Sequence, residues 1–89
     1  MQLGNVYYNR EEFAKAEEAA ISAINKNVDD KGDAWMLVGM SRFAQEKLNS
    51  AQEAFENASK YNGNRSQANQ WMSYIDKERQ RREQLAAAL

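Results

Sequence analysis

The sequence predicts an all-α chain built from paired helices, on three observations. Proline is absent and only four of the 89 residues are glycine, which leaves little turn chemistry for strands. Alanine, glutamate, glutamine, lysine, arginine and leucine, the residues that lose least on entering a helix, make up a large share of the chain. Small and apolar residues also recur at three- and four-residue spacing, the period of one helix face. A chain of this length supports a single modest core.

Taken in order, Leu3, Val6 and Tyr7 share a helical face in a piece that ends near Asn9. The spacing of Asn9 and Glu12 predicts a reciprocal cap at the start of the next helix, in which Phe13, Ala16, Ala20, Ala23 and Ile24 form the apolar stripe. That helix is expected to end near Asn25–Asn27. The polar run from Val28 to Asp33 reads as a connection, with Asp33 placed to cap the helix from Ala34 to about Gln45. Gly39 in the middle of that helix costs about 1 kcal/mol relative to alanine, and it predicts a neighbour packed close against it. After a tight link through Glu46 and Lys47, a fourth helix runs from Leu48 to about Tyr61 with Ala51, Ala54, Phe55 and Ala58 on one face. Asn62-Gly63-Asn64 is a turn signal. A last helix starts near Ser66 and presents Ala68, Trp71, Met72 and Ile75; beyond Ile75 the face turns to Glu78, Arg79 and Arg82, so this end is expected to reach into solvent or against a partner.

The chain repeats itself. A shift of 35 residues superposes Gly4 on Gly39, Glu11 on Glu46, Ala16 on Ala51, Glu18 on Glu53, Ala19 on Ala54 and Ala23 on Ala58. Leu3 with Val38, Tyr8 with Phe43 and Phe13 with Leu48 are conservative partners in the same register.

This pattern resembles the tetratricopeptide repeat, a helix-turn-helix unit of about 34 residues. Trp35, Val38, Gly39, Ala51, Phe55 and Ala58 carry the likeness in the second unit, and Leu3, Gly4, Tyr7, Ala16, Ala20 and Ala23 in the first. The resemblance implies a right-handed α-solenoid: an N-terminally incomplete hairpin over residues 1–31, a second over 32–61, a C-terminal capping helix over 65–84 and a tail over 85–89. Arg42 stands where the family has an aromatic, with Phe43 beside it. Glu11 and Glu46 stand where its turn favours glycine, which predicts either strain or a different shape at both turns, and Val28 replaces the family's proline. A second, narrower resemblance joins Leu37–Gln45, Ala68–Ile75 and Glu78–Glu83 to the C-terminal ends of repeat proteins associated with TonB-type energy transduction in Gram-negative bacteria. It implies a periplasmic helper of iron uptake; without it, the cytoplasm is the expected compartment.

The family likeness further implies a concave groove that holds a peptide or partner helix, lined by Asn5, Tyr8 and Asn9 from the first unit, Asp33, Met36, Met40 and Phe43 from the second, and Met72 and Asp76 from the last helix. Methionines make such a surface adaptable, although Met36 and Met40 equally suit filling gaps beside the last helix. The basic clamp that some family members use for a terminal carboxylate is not expected, because Asp33, Met36 and Leu37 occupy its positions. Trp35 and Trp71 read as core. The alternative function is self-association as a homodimer, through a poorly covered face around Leu3, Tyr7 and Phe13.

Other function classes find little support. The net charge is −1 with mixed signs, and Asp76, Glu78 and Glu83 interleave with Lys77, Arg79, Arg81 and Arg82, so nucleic acid is not an expected partner. No run approaches the roughly 20 apolar residues of a membrane span, so no membrane insertion is expected. Cysteine and histidine are absent, which removes the common metal sites and nucleophile-base pairs. The acidic pairs Glu17-Glu18 and Asp29-Asp30 sit in exposed-looking segments without the surroundings that raise a carboxyl pKa or complete a calcium loop. No catalytic residue, cofactor or metal is expected, and an enzyme is not.

Overall fold

The computed structural model describes residues 2–88, which form five helices: α1 (Gln2–Asn9), α2 (Phe13–Asn25), α3 (Lys31–Ala44), α4 (Leu48–Ala58) and α5 (Arg65–Ala88). Among the described residues there is no strand, so the all-α expectation holds. Met1 and Leu89, the outer ends of the expected first hairpin and tail, lie outside them. Each helix packs chiefly on its neighbours in the chain, and α3 also touches α1.

The turns explain the repeat at backbone level. Helix α1 closes with Glu11 in the left-handed region at φ 61°, while the Glu11 N–H donates to the Tyr8 carbonyl and the Glu12 N–H to that of Tyr7. Helix α3 closes identically 35 residues later: Glu46 has φ 64°, its N–H donates to Phe43, and the Lys47 N–H donates to Arg42. Both are Schellman closures, which satisfy the last carbonyls of a helix and reverse the chain at one left-handed residue. Helix α2 ends the same way at Asn27, φ 59°, with the N–H groups of Asn27 and Val28 donating to Ile24 and Ala23. The strain expected at Glu11 and Glu46 is therefore present, at a position glycine would occupy at less cost.

Two expected caps are corrected by these closures. Asn9 does not cap α2, because it lies in the last turn of α1 and the Glu12 N–H it would have bonded is already committed to Tyr7. Glu12 itself takes the N-cap position, with no side-chain hydrogen bond. Asp33 does not cap α3 either: the helix starts earlier, at Lys31 after Asp30, and Asp33 falls in its first turn, where a carboxylate suits the helix dipole. At the other end α5 starts one residue before Ser66 and runs through the expected tail to Ala88.

The core lies in two clusters that share α3 and α4. One gathers Met36, Ala51, Phe55, Ala58, Ala68 and Ile75; the other gathers Ala20, Leu37, Val38 and Ala54, and Trp35 packs against both. Gly39 is the seam its position predicts, since a Cβ there would stand 2.7 Å from the buried Phe55 ring. Gly4, its partner in the repeat, would meet Leu37 Cδ2 at 2.7 Å. The residue matching Phe55 in the first hairpin is Ala20, and Leu37 packs into the same cluster as that alanine.

Polar contacts bind the helices across these clusters. Glu17 of α2 accepts from Arg42 Nε (3.0 Å) and Gln45 Nε2 (3.0 Å), with Lys47 Nζ at 3.8 Å, while Arg42 Nη1 reaches the Ser50 carbonyl of α4 at 3.1 Å. Arg42 therefore performs a different task from the aromatic of the family pattern, and Phe43 packs inward beside it. The register equivalent of Glu17 is Gln52, and it too is held by an arginine from the following helix: Arg79 bonds Gln52 and, at 2.6 Å, Asn49. The face of α5 beyond Ile75 thus continues its packing as a polar stripe.

Candidate functional site

Helices α3 and α5 run side by side in the same direction. Their starts meet where Asn64 Nδ2 donates to Asp33 Oδ1 at 2.7 Å, and farther along Phe43 meets Trp71 and Tyr74 edge-on, at centroid distances of 5.4 and 5.5 Å. Gly32 makes the first meeting close, since any Cβ there would run into Asn64 and Tyr61. Between the two helices lies a cleft of about 490 Å³, lined by Asp33, Met36 and Met40 from α3 and by Gln67, Gln70, Trp71 and Tyr74 from α5. Its volume falls in the range of ligand-binding clefts.

The periodicity of α3 and α5 makes this cleft. Asp33, Met36 and Met40 are three and four residues apart on α3, and Gln67, Gln70, Trp71 and Tyr74 follow the same spacing on α5. Trp71 is held from behind by the fully buried Phe55, with ring centroids 5.3 Å apart and planes within 9°. A large aromatic anchored in this way presents a rigid wall. Tyr74, 56 % exposed, stands at the open side, and its ring lies 6.2 Å from that of Trp71.

The nine residues expected to line a groove divide between three places. Asp33, Met36 and Met40 line the cleft; Met36 is only 7 % exposed and also belongs to the core, whereas Met40 is half-buried. Phe43 buttresses Trp71 and Tyr74 at the far end. Met72 lies outside the lining, half-buried against the core, and Asp76 is exposed, 3.5 Å from Arg79. Asn5, Tyr8 and Asn9 belong to α1, which does not border the cleft: Asn5 and Asn9 are exposed, and Tyr8 packs edge-on against Phe13 at 5.3 Å. Gln67, Gln70 and Tyr74 of α5 are not among the expected lining residues, and Trp71, expected in the core, packs there and also lines the cleft. Extending the α5 face one residue to the N-terminal side of Met72, through Trp71 rather than toward Asp76, finds the other three.

Elsewhere on the surface the ion pairs centre on Glu17 and on Glu78. Burial raises the pKa of Glu17, but the hydrogen bonds from Arg42 and Gln45 and the charges of Arg42 and Lys47 outweigh it and hold the carboxyl below its usual value. Hydrogen bonds from Arg81 and Arg82 hold Glu78 down at about 2. Arg79, Arg81 and Arg82 are each engaged with side chains of this chain. Among the described residues no group of three or more acidic side chains is placed to hold a metal, and no helix is long and apolar enough to cross a membrane.

Compared with known proteins, the chain matches no family model, no curated protein and no solved structure.

Proposed function

We propose that this chain is a protein-interaction scaffold of tetratricopeptide-like hairpins that holds a peptide or partner helix in the α3/α5 cleft. The observation that carries the reading is the cleft itself: a gap between α3 and α5 lined by two methionines and an anchored tryptophan. Support for the solenoid comes from the identical closures at Glu11 and Glu46, from Gly4 and Gly39 as matching seams, and from the arginines that clip each hairpin to the next helix. The elongated outline, 45 × 28 × 18 Å, suits stacked hairpins. In such an array α5 acts as the capping helix. The narrower resemblance extends the proposal to a periplasmic partner in TonB-linked uptake, tested by co-purification with components of that system.

The decisive experiment identifies a captured partner and then titrates it against Met40→Lys and Tyr74→Ala. Neither side chain is fully buried, so the circular-dichroism melt should change little while affinity falls at least several-fold. Unchanged affinity in both variants places the partner elsewhere.

A second reading, self-association, is favoured by α1. Leu3 is 60 % and Val6 46 % exposed, yet their repeat equivalents on α3, Val38 and Ser41, are fully buried. A helix laid on α1 as α2 lies on α3 would cover both. Sedimentation of the wild type and of Leu3→Lys tests it; concentration-independent monomers in both rule it out.

A further inference from the structure

Resting on the reading of the α3/α5 cleft as a peptide site, the geometry points to the chemistry of its occupant: an apolar segment that carries a lysine or arginine, with the cation set against Asp33. Seven residues line the cleft and Asp33 is the one that carries a charge. The rest are thioethers, aromatic rings and two uncharged glutamines, so among the described residues no cation lines the cleft to neutralise that carboxylate from within. Asn64 occupies Oδ1 of Asp33 at 2.7 Å, and among the described residues no bond is made to Oδ2. Asp33 makes no ion pair among the described residues.

The surroundings reinforce the sign. Asp29 and Asp30 immediately precede α3 and are exposed, as Asp33 is, so the segment from Asp29 to Asp33 carries three carboxylates against the single ammonium of Lys31. The α3 dipole contributes about half a positive charge at this end, which is smaller than the acidic excess of the segment. Arg65, at the start of α5, donates to the Ser59 carbonyl at 3.0 Å on the α4 side. An anionic segment would meet repulsion at this mouth, and a purely apolar one would leave the mouth unused. A lysine or arginine lays its methylene stem along Met36 and Trp71 and brings its charge to the carboxylate, the arrangement these amphipathic side chains favour at an apolar edge. The complementarity gives selection by sign more than raw affinity.

Three short capped peptides of the same leucine–alanine pattern test this, differing in whether the polar positions carry lysine, glutamine or glutamate. Calorimetry measures affinity, and the indole N–H resonance of Trp71 reports whether the cleft is the place of binding. The expected order is lysine, then glutamine, then glutamate. Asp33→Asn keeps the acceptor for Asn64 and should weaken only the lysine peptide, by roughly two- to fivefold, with the gap closing as salt rises. Asp29→Asn with Asp30→Asn should have the smaller effect. Equal binding of all three peptides with the Trp71 signal moving overturns the inference and leaves the cleft as an apolar site. A larger loss from the Asp29/Asp30 pair than from Asp33→Asn overturns it as well. If no peptide moves the Trp71 signal, the peptide-site reading itself fails.

Discussion

At Gly39 the difference between a helix that tolerates any small residue and one that requires none is a fraction of an ångström. A Cβ at this position would lie 2.7–2.8 Å from three atoms of the Phe55 ring, which is fully buried and stacked on Trp71. The ring cannot withdraw without displacing the wall of the cleft. Overpacking of this kind costs about 1–3 kcal/mol, against about 1 kcal/mol gained from alanine's helix propensity. Gly39→Ala should therefore destabilise by up to about 2 kcal/mol in urea unfolding. Gly4→Ala should cost less, because its nearest obstacle is the end of the Leu37 side chain, and Gly63→Ala, with nothing within 4 Å, should be close to neutral. The turn residues carry the opposite sign. Glu11 is exposed and left-handed, so Glu11→Gly removes strain of about 1 kcal/mol and gives back part of it as unfolded-chain entropy. A gain of a few tenths of a kcal/mol is expected in the same assay, and a loss would show that the Glu11 side chain holds the turn.

At the scale of the helix, what stood legible in the sequence was whatever depends on periodicity. The 35-residue register located both hairpins, both turns and the Gly39 seam, because each follows from which residues share a face. The helix starts were misread for a different reason. Asn9 and Asp33 have good capping chemistry, but a cap needs a free N–H, and the tight closure after α1 had already used that of Glu12. Four of the seven lining residues lie outside the expected groove, because Trp71, expected as core, looks inward to Phe55 and outward to the cleft at once and brings Gln67, Gln70 and Tyr74 with it. Nor could a sequence pattern show that Arg42 and Glu17, 25 residues apart, would meet. That pair supplies the element-scale prediction. Because the folded pKa of Glu17 lies below 4.5, its stabilisation is fully present above that value and is lost as pH falls through the folded one. Glu17→Gln turns an amide N–H₂ toward donors that need an acceptor, and it should cost about 1–3 kcal/mol at pH 7. The gap to wild type should narrow below pH 4.5; a gap independent of pH would mean that packing, not the charge, accounts for the loss.

Across the whole molecule the clusters are joined through α3 and α4, with α3 contributing the most. Helix α3 contributes seven buried residues, gives Met36 to one cluster and Leu37 and Val38 to the other, and places Trp35 against both. Helix α1 has eight residues, two of its large apolar side chains are exposed, and it meets the core through Gly4 and Tyr8. Stability in stacked helices is a sum over neighbouring interfaces, and the outermost element has only one side covered. Native-state hydrogen exchange should therefore show α3 and α4 opening only with global unfolding, while α1 amides exchange through a local opening of lower free energy. The end of α5 beyond Arg82, whose residues 83–88 are all exposed, should exchange faster still. Val38→Ala separates this from independent halves: removing a fully buried side chain at the junction should lower the protection of α2 and α4 together, by about 1–3 kcal/mol. If α2 alone loses protection, the two clusters unfold separately, and the cleft on α3 and α5 keeps its shape without the first hairpin.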